Sequence, residues 1–167
     1  MRKILAVALL LSLLIIFSAC ESVTPAKVDT SATTASTAKN QVFAIGDTIQ
    51  AGDHIFTVNS VREDKGSEFI KPKDGNIYYI IDVTVDNKTD KSINVSSIMM
   101  FKLFDSEGYN YNITIGPETK GSVDGEIAAG RKLRGELIFE IPAASKGLEL
   151  EIDPTWGSGK AIIKLDR

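Results

Sequence analysis

Ile77-Tyr78-Tyr79-Ile80-Ile81-Asp82-Val83-Thr84-Val85-Asp86 is the stretch that decides the fold class. It is rich in β-branched and aromatic side chains, with Gly75-Asn76 before it and Asn87-Lys88 after it, so it reads as one strand between turns. Side chains alternate along a strand, which puts Ile77, Tyr79, Ile81, Val83 and Val85 on one face and Tyr78, Ile80, Asp82, Thr84 and Asp86 on the other. The first face is core, and the second becomes polar.

The same alternation recurs on both sides of this strand. Lys132 to Ile141 turns Leu133, Leu137, Phe139 and Ile141 inward and Lys132, Arg134, Glu136 and Glu140 outward, until Pro142 removes a ladder donor. Gly147 to Asp153 alternates Leu148, Leu150 and Ile152 with Glu149 and Glu151, and the turn at Asp153-Pro154 leads on to a last strand at Ala161 to Leu165, its hairpin partner. Upstream, His54 to Val61 and Ile98 to Phe104 read as strands, and the turn Asp105-Ser106-Glu107-Gly108 leads into another at Tyr109 to Ile113. Gln41 to Gln50 adds an edge strand broken at Gly46-Asp47. No segment keeps a helical period. Seven to nine short strands without crossover helices predict an all-β domain, an antiparallel two-sheet sandwich over residues 41–167, with a closed barrel as the alternative.

The first forty residues have a different character. Met1-Arg2-Lys3 is a positive start, and Ile4 to Phe17 is an apolar run interrupted only by Ser12. As a helix those fourteen residues would span about 21 Å, short of the roughly 30 Å hydrocarbon core, so residues 1–19 read as a signal peptide. Phe17-Ser18-Ala19-Cys20 resembles the bacterial lipobox. That resemblance implies a diacylglycerol thioether on Cys20, cleavage before it, and attachment to the extracytoplasmic face of the cell membrane. From Glu21 to Asn40, twelve of twenty residues are Ser, Thr or Ala, so residues 20–40 are expected to form a disordered tether, with an end-to-end distance of roughly 25 Å as a flexible coil.

Gly46-Asp47-Thr48, Phe56-Thr57-Val58-Asn59-Ser60-Val61 and Gly75-Asn76 ahead of Tyr79 to Lys88 occur in an order that resembles a widespread bacterial domain of unknown function. Phe101-Lys102-Leu103 with Asp105 to Gly108, Ala129-Gly130 before Leu133-Arg134-Gly135, and Phe139-Glu140-Ile141-Pro142 continue the likeness. It implies an immunoglobulin-like sandwich similar in fold to the mycobacterial secreted immunogenic proteins, standing behind a lipoprotein signal and a low-complexity tether. It implies no ligand and no catalytic residues, because these motifs are strands and turns.

Composition narrows the function. Nineteen basic and twenty-two acidic residues give a net charge of −3, and without residues 1–19 seventeen against twenty-two give −5. A mildly acidic domain is a poor general nucleic-acid binder. One cysteine and one histidine leave no disulfide framework and no histidine-based metal cluster. His54, beside Asp53, is at most one member of a triad, and no serine stands in a Gly-x-Ser-x-Gly turn. Gly125 to Lys132 has the glycine spacing of a phosphate loop but puts Arg131 where the lysine belongs, and it leads into a strand. Glu149 with Glu151, and Asp82 with Asp86, share strand faces as solvated carboxylates. Arg131, Lys132 and Arg134 form a basic cluster whose plainest role is solubility. Asn87, Asn94 and Asn112 head Asn-x-Ser/Thr triplets without consequence in a bacterial lipoprotein.

Aromatic side chains remain as the candidate contact surface, because they supply area at small entropic cost. The candidates are Tyr78, Tyr109 and Tyr111, the last two sharing a face next to a turn, and Trp156, which stands in a loop at the end of the sandwich. The expectation is a non-enzymatic interaction module needing no cofactor or metal. It is held to the membrane through lipid on Cys20, with a protein or envelope polymer as partner. The alternative is a structural or accessory envelope component without a soluble ligand.

Overall fold

The structure is a computed structural model that describes residues 26–27, 42–154 and 160–165. The strands are β1 Ala26–Lys27, β2 Val42–Ala44, β3 Thr48–Ala51, β4 His54–Asp64, β5 Asn76–Asn87, β6 Ile93–Val95, β7 Phe101–Phe104, β8 Asn110–Tyr111, β9 Gly125–Ile127, β10 Lys132–Pro142, β11 Glu149–Ile152 and β12 Ala161–Lys164. One helical turn, α1 Ser97–Met100, precedes β7.

The alternating stretch became β5, inside a five-stranded sheet of order β1-β3-β4-β5-β10. A second sheet, β2-β12-β11-β7-β8, packs on it, and β6 with β9 makes a short ribbon. The inward residues form a continuous core. Phe56 of the first sheet meets Phe101 of the second edge-on, with ring centroids 5.8 Å apart. Phe56, Phe101, Phe139, Leu103 and Leu150 are fully buried, and each contributes about 2 kcal/mol of transfer free energy. The sandwich is thus the immunoglobulin-like one expected, and β11 pairs with β12 as the predicted hairpin.

Several local expectations are corrected. The sheets are not wholly antiparallel, because β2 pairs in parallel with β12. That pairing puts β12 inside its sheet, between β2 and β11. The Gln41 to Gln50 segment divides at its Gly46-Asp47 turn, β2 joining one sheet and β3 the other. Ile98 to Phe104 is a strand only from Phe101, since residues 97–100 turn helically to bring the chain across to the second sheet. Tyr109 to Ile113 shortens to β8 plus a single bridge from Ile113 to Phe139.

The outer face of β5 is not polar throughout. Tyr78 and Ile80 are buried with Ile138 of β10. A strap after Ile113 covers this region, with Thr114 donating its N–H to the Ile138 carbonyl and Gly116 lying against Ile138 and Tyr78. It runs on along β10, where Lys120 N–H donates to Glu136 Oε2 and the Ser122 backbone occupies the space of the missing Gly135 side chain. This strap closes an eleven-residue edge strand that would otherwise expose unpaired backbone groups.

Ala26, Gln50, Ile55, Asp86 and Lys132 form one row across the first sheet, near the end that carries His54 and Asn87. β1 runs from this row toward the middle of the sheet, and β2 likewise begins beside Ile162 and runs the same way. Both N-terminal pieces therefore start at one end of the sandwich.

Candidate functional site

Three connections gather at the opposite end: the loop between β4 and β5, the turn between β7 and β8, and the link from β10 to β11. Ala143 N–H donates to Gly75 O at 2.9 Å and Ser106 N–H to Lys146 O at 3.0 Å, which ties the link to both neighbours. Asp105 builds the turn, its Oδ1 accepting from the N–H groups of Glu107 and Tyr109, each at 3.0 Å. Gly108, at φ +86°, takes the left-handed conformation this reversal needs. The Tyr111 hydroxyl donates to Asp105 Oδ2 at 2.6 Å and lies 3.2 Å from Ser145 Oγ. A cleft of 260 Å³ opens between Tyr109, Tyr111 and Asp105 on one side and Pro142, Ser145 and Lys146 on the other.

The electrostatics of this cleft suit hydrogen bonding. The Tyr111 hydroxyl, helped by three backbone N–H groups, holds the Asp105 carboxyl below the usual carboxylate range. Burial, and then the hydrogen bond to Asp105, push the Tyr111 phenol upward. Both groups are moved away from neutrality, the reverse of what proton transfer at physiological pH requires. The cleft offers an ionised acceptor and a protonated hydroxyl at fixed positions.

Of the residues singled out in the sequence, Tyr109 is 64% exposed at the mouth of this cleft, while Tyr111 is half-buried and packs on the core. The structure therefore brings the two tyrosines together but gives them different tasks. Trp156 and Cys20 lie outside the described residues. The residues flanking the Trp156 segment, Pro154 and Lys160, follow Ile152 and precede Ala161, whose row with Phe101 is at the other end of the sandwich. Sequence reasoning missed Phe69, 91% exposed in the β4–β5 loop at the cleft end. The available signal was an apolar pair, Phe69-Ile70, between Gly66-Ser67-Glu68 and Lys71-Pro72, where loop chemistry leaves nothing to pack against.

The other candidates have structural roles. His54 stacks on Phe56 with centroids 5.7 Å apart and donates from Nε2 to Asn94 O at 3.1 Å. Asp82 receives Arg134 through two nitrogens, at 2.9 and 2.7 Å, and an Asn59 amide N–H at 2.9 Å, so the basic cluster is divided. Asp86 pairs with Lys88, and Glu151 with Lys160. Gly125 to Lys132 is β9, a turn and the start of β10. Among the described residues, no three His, Cys, Asp or Glu side chains are placed to hold a metal ion.

Residues 43–162 match the family described as a domain of unknown function, DUF4352. The chain belongs to this family. A relative in sequence is the uncharacterized lipoprotein YjhA of Bacillus subtilis (strain 168), 30% identical in an alignment of 116 residues that covers 62% of this chain and 54% of that protein. The chain thus spans about half the length of this curated relative. The crystal structure of yjhA from Bacillus subtilis superposes with a TM-score of 0.54 at 25% identity, over 74% of this chain and 99% of that one. The secreted protein MPT63 of Mycobacterium tuberculosis reaches a TM-score of 0.58 at 14% identity, over 78% of this chain and all of that one. The DUF4352 fold of this chain is therefore shared with a β-sandwich of the mycobacterial secreted type.

Proposed function

We propose that this protein is a lipid-anchored extracytoplasmic lipoprotein whose β-sandwich is a non-enzymatic interaction module at the cell surface. Acylated Cys20 holds it to the cell membrane, since two or three acyl chains give stable attachment where one does not. The lipobox-like Phe17-Ser18-Ala19-Cys20 and a relative named as a lipoprotein support the anchor. The observation that carries the module is the opposition of the two ends. β1 and β2 start at one end, while the Asp105–Tyr111 cleft, Tyr109 and Phe69 occupy the other. A partner on the outer side, protein or envelope polymer, meets the aromatic end first.

Two measurements test this reading. Intact mass of protein extracted from membranes with detergent is expected to show a chain beginning at lipid-bearing Cys20, and Cys20→Ser is expected to lose both the lipid and the membrane association. A photoreactive residue at Tyr109 or Phe69 is then expected to capture a partner on whole cells, with none captured from Glu126. An unlipidated chain sinks the anchor, and equal capture at all three positions sinks the module.

A further inference from the structure

The end of the sandwich where β1 begins carries its own apolar feature. α1 exposes Ile98 and Met99, 75% and 48% accessible, side by side in the sequence. Its other two residues, Ser97 and Met100, are buried. The turn is held from both sides: Asp124 accepts from Ser97 N–H at 2.6 Å, and Met100 O accepts from Asp153 N–H at 2.8 Å, one residue beyond the Ile152–Phe101 row. Two large apolar side chains are thus displayed on a fixed support.

The position of β1 says what lies below them. Ala26 pairs with Gln50 in the terminal part of β3, and β1, antiparallel to β3, begins at this same end. Six residue steps separate Cys20 from Ala26, a reach of at most about 20 Å. A lipid on Cys20 therefore keeps this end of the domain close to the bilayer, with a shorter leash than twenty free tether residues would give.

We propose that Ile98 and Met99 seat in the headgroup layer of the membrane that anchors the protein, fixing the sandwich with its cleft end outward. The inference rests on the lipid anchor proposed above. Exposed Lys91, Arg131 and Lys132 border this end, but exposed Asp53, Asp90 and Glu126 balance them, so apolar contact and not headgroup charge drives the seating. Two side chains alone hold a soluble protein poorly on lipid. The anchor makes their contact intramolecular, at an effective concentration of about millimolar, and this is what lets so small an area suffice.

The test uses the lipidated full chain in vesicles, once in equal parts phosphatidylethanolamine and phosphatidylglycerol and once in phosphatidylcholine. Cys20 spends its thiol in the thioether, so Ile98→Cys and Phe69→Cys each provide a single site for an environment-sensitive fluorophore. The expected result is a blue shift at position 98 in both vesicle types, none at position 69, and loss of the shift when Met99→Asp is added. Intact mass of the same sample separates the two readings. With lipid present and position 98 still aqueous, the seating alone is overturned; with lipid absent, the seating and the anchor fall together. A shift that appears in native membranes but not in protein-free vesicles overturns the seating in favour of a protein partner at α1.

Discussion

Asn87 Nδ2 donates to the carbonyl oxygen of Ile127 at 2.9 Å, joining the end of β5 to the end of β9. The same nitrogen serves Lys91 O at 2.7 Å, while Oδ1 accepts from the N–H and hydroxyl of Thr89. One wholly buried amide thus holds two turns against the core. Asn87→Ala takes the side-chain partner from the Ile127 carbonyl and the Thr89 N–H, leaving the Lys91 carbonyl to the Thr89 hydroxyl, and is expected to cost about 2–3 kcal/mol. Asn87→Asp, which loses both donated bonds and adds a buried charge, is expected to cost at least as much. Urea denaturation of both variants checks this.

Gly135 lies under the strap and Gly116 within it, and they differ in what a methyl group would meet. At Gly135 a Cβ would lie 2.6 Å from the Cα and carbonyl carbon of Ser122, which is backbone. At Gly116 it would lie 2.8 Å from Ile138 Cγ2, a side-chain atom, so the clash is relieved by a shift of one side chain and not of backbone. Gly135→Ala is expected to cost about 2–3 kcal/mol and Gly116→Ala about 1 kcal/mol. Thermal melting of the pair checks the order.

Acid is expected to weaken the outer face of the first sheet. The Arg134 guanidinium holds Asp82 below the usual carboxylate range, Arg62 does the same for Glu136, and the Asn76 amide for Glu140. Each of these carboxyls is more acidic folded than unfolded. Their contribution is complete at neutral pH, declines as pH falls through the ordinary carboxylate range near about 4, and is lost below the folded values. Because the Arg134 side chain is largely in water, Asp82→Asn is expected to lower neutral stability by less than about 1 kcal/mol. The difference in urea midpoint between pH 7 and pH 3 is expected to shrink in that variant.

Tyr111→Phe removes the strongest cause of the low Asp105 pKa. The Asp105 carboxyl is expected to titrate at higher pH than in the parent protein, and carbon NMR of the side-chain carboxyl reads this directly. Capture of a partner from position 109 is expected to fall in the same variant, because Asp105 also accepts the Tyr109 N–H that places that ring at the cleft.

The alternating strands can be read directly from the residues, because period two is a local property of a chain with one wet and one dry face. Ile77 to Asp86 and Lys132 to Ile141 were legible for that reason, as were the hairpin of β11 with β12 and the Asn87 turn. The short strands β6 and β9 were not, since three residues carry too little alternation to stand out. Alternation puts Tyr78 and Ile80 on the outer face, but their burial with Ile138 was not legible, because the strap that covers them is irregular and leaves no periodic trace. The tyrosines were legible as residue types, and their division into an exposed Tyr109 and a bound Tyr111 was not. That division depends on Ser145, thirty-four residues from Tyr111, and on a link between sheets. Which end of the sandwich holds the cleft, and at which end β1 and β2 begin, emerges only in the folded domain. Strand direction and register across a sheet are set by pairing between distant segments, and no local pattern encodes them.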